Sequence, residues 1–106
     1  DAGTLVDVEV SGAAVDSLGP RRAGRIAFEA ARSHQAFRVE VTDEDIRRAQ
    51  LTAWEELRVG LEGGGATALA ALLSGAYQPA PDETIGIVCS GGNVDIAVVL
   101  GQDLWR

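Results

Sequence analysis

The sequence predicts an α/β fold in which parallel strands are flanked by helices. Three observations carry that expectation. Strand-like and helix-like stretches alternate along the chain, the order that builds a parallel sheet from crossover units. The run Thr84-Ile85-Gly86-Ile87-Val88-Cys89 is rich in β-branched residues without a polar alternation, as in a strand covered on both faces. The chain has 106 residues, 46% of them hydrophobic, which suits one globular domain and not a disordered segment.

In chain order, Leu5-Val6-Asp7-Val8-Glu9-Val10 alternates apolar and acidic residues and suits an edge strand or an extended arm. Gly19-Pro20 punctuates the chain. Proline is favourable at a first helical position, and Ile26, Ala27, Ala30 and Ala31 have helical spacing, so a helix is expected over about 20–33. Phe37-Arg38-Val39-Glu40-Val41 alternates with period two and reads as a strand. Thr42 is expected to cap the next helix, with Asp43, Glu44 and Asp45 at the positive end of its dipole. Ile46, Ala49, Ala53 and Leu57 mark its buried face; Arg47, Arg48, Glu55 and Glu56 belong to the solvated one. Gly63-Gly64-Gly65 breaks the pattern. Ala66 to Leu73 is apolar on almost every side, as in a helix buried all round. Gln78-Pro79-Ala80-Pro81-Asp82 is a surface loop, and Val94 to Leu100 begins a last helix.

The charge balance excludes several function classes. Nine basic and 16 acidic side chains give a net charge of −7, without the basic stripe that nucleic-acid binding needs. No apolar stretch approaches the ~20 residues of a membrane helix. One cysteine, Cys89, cannot form an internal disulfide and suits a reducing cytoplasm; it is expected as an inert core thiol. All nine basic residues are arginine, so chemistry that needs a lysine amine cannot be completed within the chain. The lone His34, at a helix end, excludes a two-histidine metal site, and no metal ligation is expected.

Three segments are candidates for ligand contact. Ser90-Gly91-Gly92-Asn93 follows strand 84–89, and ligands of open α/β sheets bind beyond the carboxyl ends of strands. The residues alone favour a plain strand–helix turn with Asn93 as the cap, since Gly-Gly turns are common. Glu62-Gly63-Gly64-Gly65 precedes a helix and could cradle a phosphate, although Glu62 would repel it; close helix packing is the other use of such glycines. Asp16-Ser17-Leu18-Gly19 is either a helix cap or a ligand-facing loop.

Taken together in order and spacing, these residues carry a resemblance. They are Val15-Asp16-Ser17-Leu18-Gly19, Arg25 to Ala31, the run from Val39 to Ile46, and Glu62 with the small residues after it. Ala68 to Gly75 and Ser90-Gly91-Gly92-Asn93-Val94-Asp95 complete the set. From about Val6 to Leu100 the chain resembles the C-terminal end of threonine/serine dehydratases. These are pyridoxal-phosphate (PLP) enzymes of the tryptophan synthase β-like fold, with serine racemase a close cousin. The resemblance implies that residues 1–106 form one partial domain, the C-terminal part of the large cofactor-carrying domain, without an ACT-type regulatory domain. It implies that Ser90 hydrogen-bonds the pyridine nitrogen of PLP, that Gly91 and Glu62 lie near the cofactor ring, and that Asp16 lies on the substrate side. Glu62 is usually followed by proline in the family; Gly63 stands there here, and a looser loop is expected. The Schiff-base lysine and the phosphate loop of the family lie upstream, so no catalytic residue is assigned within the chain.

The expected function is therefore a segment of an amino-acid dehydratase, inactive alone. Its expected partners are the N-terminal part of the enzyme, an amino-acid substrate and a further copy in a homo-oligomer, with neither nucleic acid nor membrane. The alternative is a non-catalytic α/β interaction module.

Overall fold

A computed structural model describes residues 3–101 of the chain. Four helices order it: α1 (Arg25–Ser33), α2 (Asp43–Leu57), α3 (Gly63–Leu73) and α4 (Ile96–Val99).

The helix α2 begins where the sequence places it. The Thr42 hydroxyl accepts the Asp45 N–H at 3.1 Å, and the Asp45 carboxylate accepts the Thr42 N–H at 2.9 Å, a reciprocal capping box. Ile46, Ala49 and Ala53 are buried at the expected three- and four-residue spacing. Leu57, expected on the same face, is 68% exposed. The helix ends there: Arg58 turns left-handed at φ 56°, and the returning chain buries Leu61 instead.

Helix α3 starts at Gly63, three residues earlier than the apolar pattern suggests, and it is covered on one side only. Gly63, Gly65, Ala66 and Ala70 are buried, whereas Leu73 is 40% exposed. With alanines Ala49, Ala53, Ala66 and Ala70 facing each other, little side-chain volume separates α2 from α3. Leu61 and Ile46 are the only large members of this core among the described residues.

Helix α1 begins at Arg25, not at Pro20. The Val8 N–H donates to the Arg21 carbonyl at 2.8 Å, and the Arg22 guanidinium donates to the Leu5 carbonyl at 3.0 Å. This segment is therefore tied to an extended N-terminal arm and not coiled into a first turn. No residue of α1 is buried, and Ile26 is 84% exposed. Helix α4 is a single turn capped by Asp95, whose carboxylate accepts the Ala97 N–H at 2.9 Å; Asn93 is not the cap.

The expected parallel strands do not form a sheet among the described residues. The stretches 5–10, 37–41 and 84–89 carry no ladder, and no backbone hydrogen bond joins 84–90 to another described segment. A strand is defined by its neighbour, and these stretches have none here. Accordingly Val88 is 79% exposed, and Cys89 is exposed too, not a core thiol. The radius of gyration, 15.2 Å, exceeds the about 13 Å of a compact domain of this length, which fits apolar segments left uncovered.

Candidate functional site

Two turns converge on the N-terminal end of α3, and each glycine of its opening triplet receives a different neighbour. A Cβ on Gly63 would collide with the Ala13 carbonyl oxygen and lie 2.9 Å from the Ala14 Cα. One on Gly64 would lie 2.7 Å from the Ser17 hydroxyl, and one on Gly65 would lie 2.6 Å from the Gly91 carbonyl oxygen. The triplet is thus a packing surface: the absence of Cβ atoms lets backbone approach backbone. The segment is neither an anion cradle nor a loosened loop. The Gly64 N–H, which such a cradle would use, donates to the Ser17 hydroxyl at 2.6 Å.

The same convergence fixes Glu62 and Gly91 against each other. The Glu62 N–H donates to the Gly91 carbonyl at 3.0 Å, and the Glu62 carboxylate occupies the space that a Gly91 Cβ would need. On the other side the Asp43 carboxylate, at the start of α2, accepts the Ala13 N–H at 2.9 Å.

Beside these contacts opens a cleft of about 380 Å³, within the ~300–1,000 Å³ of small-molecule sites. Asp16, Glu62, Arg47, Gln50 and Asn93 supply its polar wall, and Val94, Val98 and Val99 its apolar one. It carries both signs of charge. Of the residues expected at a site, Asp16 and Glu62 meet in this cleft. Gly91 braces Glu62 at its edge. Ser90 lies outside the lining, exposed, and among the described residues its hydroxyl has no hydrogen-bond partner. His34 closes the end of α1, its ring nitrogen against the Ala30 carbonyl at 2.9 Å.

Arg47 and Gln50 were not singled out by pattern. Gln50 holds the cleft's rear, its side-chain amide donating to the Leu61 carbonyl at 2.8 Å. A polar residue directly after Ala49, beside an otherwise apolar stripe, is the signal that could have marked it. Arg47 reads as a solvated helix charge and is indeed exposed, but its side of α2 borders the cleft. Among the described residues no group of three or more His, Cys, Asp or Glu side chains could hold a metal ion, and no helix is long and apolar enough to cross a membrane.

Comparison with known proteins gives this geometry a context. The chain is similar to serine racemase of Dictyostelium discoideum, 37% identical over 60 residues that cover 56% of this chain and 18% of that protein. It is similar to L-threonine ammonia-lyase of Thermotoga maritima, 31% identical over 84 residues covering 79% of this chain and 20% of that protein. The catabolic L-threonine dehydratase TdcB of Escherichia coli is 31% identical over 100 residues, 92% of this chain and 30% of that protein. No family model matches the chain. The chain spans about a fifth to a third of the length of these relatives. The similarity runs through most of the chain and supports a threonine/serine dehydratase-like segment of the pyridoxal-phosphate-dependent kind.

Proposed function

We propose that the chain is part of an ammonia-lyase that dehydrates and deaminates L-threonine or L-serine to a 2-oxo acid and ammonia. In this reading it is the C-terminal part of the large domain of a tryptophan synthase β-like fold. Residues 37–41 and 84–89 are then strands whose neighbours belong to the rest of that domain, which is the chain's first partner.

The observation that carries the reading is the similarity to threonine dehydratases over most of the chain, and Ser90 is the residue proposed to meet the cofactor. Its hydroxyl is exposed and has no hydrogen-bond partner among the described residues, and it follows an extended apolar segment directly. Next to it, Gly91 is held by Glu62 through the 3.0 Å backbone bond. An exposed hydroxyl on a braced turn would suit the edge of a heteroaromatic ring. When bound, PLP supplies an electron sink for bond breaking at the substrate's α-carbon.

The chain's own residues bind and orient. The Ser90 hydroxyl would donate a hydrogen bond to an unprotonated ring nitrogen, whereas a carboxylate in its place would keep that nitrogen protonated. Gly91 and Glu62 hold the turn that carries Ser90. Asp16 faces the substrate side of the cleft. The lysine amine and the phosphate-binding loop come from elsewhere, because the chain has no lysine.

The test is reconstitution with the N-terminal portion of a threonine dehydratase, followed by PLP binding and turnover. Ser90→Ala is expected to weaken PLP retention modestly, since a neutral hydrogen bond is worth ~0.5–1.5 kcal/mol net. Ser90→Asp is expected to shift the cofactor's absorbance and disturb the partition between elimination and side reactions. Equal affinity, spectrum and rate in both variants would reduce Ser90 to a turn residue. Without reconstitution, borohydride reduction and mass spectrometry should find no pyridoxyl adduct on a side chain. A complex that binds neither PLP nor amino acid would favour the interaction-module reading.

A further inference from the structure

We propose that Ser17 is a positioning residue which, together with Asp43, clasps the turn Gly12–Leu18 at two points and thereby presents Asp16 to the cleft. This rests on the reading of that cleft as the substrate side of the site.

The two anchors lie on different helices. The Ser17 hydroxyl accepts the N–H of Gly64, the second residue of α3, at 2.6 Å. The carboxylate of Asp43, the first residue of α2, accepts the Ala13 N–H at 2.9 Å. Only Ala14, Val15 and Asp16 lie between the anchored residues. Within the turn the Leu18 N–H donates to the Ala14 carbonyl at 2.7 Å and the Ser17 N–H to the same oxygen at 3.1 Å. Gly12 takes φ +99°, and a Cβ there would lie 2.6 Å from the Asp43 carboxylate, so the anchor fits only a glycine.

Asp16 itself makes no hydrogen bond or ion pair among the described residues, although it lines the cleft with Arg47 and Glu62. Its carboxylate therefore has no role in holding the fold, and its place is set by its neighbours. A hydroxyl at position 17 is needed because the Gly64 N–H requires an acceptor; threonine offers one and alanine does not.

The test uses NMR on the 106-residue chain without cofactor. In the parent, amides 14–18 should show order parameters near about 0.85, falling below about 0.6 in Ser17→Ala. Hydrogen-exchange protection of the Gly64 amide should fall by roughly tenfold or more, with Ala49, Ala53 and Ala70 unchanged. Ser17→Thr should restore both. A second pair uses the other anchor: Asp43→Ala should loosen the turn, and Asp43→Asn, which keeps an acceptor, should not. Unchanged order parameters and unchanged Gly64 protection in Ser17→Ala overturn the proposal. So does general unfolding in Ser17→Ala, if Asp43→Ala also leaves the turn rigid. Because no cofactor is involved, such a failure leaves the Ser90 assignment standing; loss of PLP binding with the clasp intact removes that assignment alone.

Discussion

Gly65 and Gly91 meet backbone to backbone: a Cβ on Gly65 would lie 2.6 Å from the Gly91 carbonyl oxygen and 3.0 Å from its nitrogen. At this point backbone faces backbone, so the Gly65–Gly91 contact tolerates nothing larger than hydrogen.

Substitution along the triplet should therefore follow what each Cβ would meet. Gly65→Ala and Gly63→Ala strike backbone and are expected to destabilise by about 1–3 kcal/mol, as overpacking does. Gly64→Ala strikes the anchored Ser17 side chain and Leu18 but no backbone, and gains up to ~1 kcal/mol of helix propensity. It should cost less than the other two. Urea midpoints for the three variants check the order; Gly64→Ala as the worst of them would contradict the packing.

The capping box of α2 should make stability acid-sensitive. Hydrogen bonds from the Thr42 side chain and then from its backbone N–H hold the Asp45 carboxyl below its ordinary value. A depressed carboxylate contributes stability that is complete above the ordinary carboxylate range and is lost as pH falls through the folded value. Thr42→Ala should cost about 1 kcal/mol at neutral pH and less in acid, where the parent has lost part of the same contribution. Denaturation at both pH values measures the difference.

A second pair responds at both ends of the pH scale. The Tyr77 hydroxyl donates to the Glu83 carboxylate at 2.5 Å, and the Ala80 N–H donates to the other oxygen at 2.9 Å, closing the proline-containing loop. The Tyr77 bond first, then the Ala80 N–H, lowers the Glu83 carboxyl; the same tyrosine–carboxylate bond raises the Tyr77 phenol. The contribution of Glu83 is lost as pH falls through its depressed value. That of Tyr77 is complete below the ordinary phenol value and lost as pH rises through the raised one. Tyr77 is the one tyrosine, so phenolate absorbance follows it without overlap. Glu83→Gln should move its midpoint down toward the ordinary value.

The isolated chain should associate with itself. Ile26, Phe37 and Val88 are 84%, 80% and 79% exposed, and apolar area left open in this way drives dimerisation or aggregation. Sedimentation equilibrium at low micromolar concentration should show mass above the 11.0 kDa of the chain. A compact monomer that does not bind ANS would count against it.

Local features of the fold were legible in the sequence and non-local ones were not. Thr42, Asp45 and the Ile46–Ala49–Ala53 stripe act within a few residues of one another, so spacing alone reveals them. The strands at 37–41 and 84–89 need a partner to exist, and composition cannot supply one. The cleft pair Asp16 and Glu62 emerged from the family resemblance, whereas Ser17 binding Gly64 spans 47 positions and has no sequence signature. Gly63 misled because a glycine triplet reads as a break, while here tertiary contacts carry the helix through it.

That helix also dictates an order of assembly. Three glycines at its start each cost up to about 1 kcal/mol of propensity relative to alanine, and an 11-residue helix is marginal alone. Helix α2, with 15 residues and a complete cap, has the means to form first. Helix α3 is then expected to form only as the Ala13–Ser17 turn and Gly91 arrive, which would make the closing of the cleft the chain's last cooperative event. Folding kinetics should reflect this: Ala49→Gly slows refolding, whereas Ala66→Gly chiefly hastens unfolding.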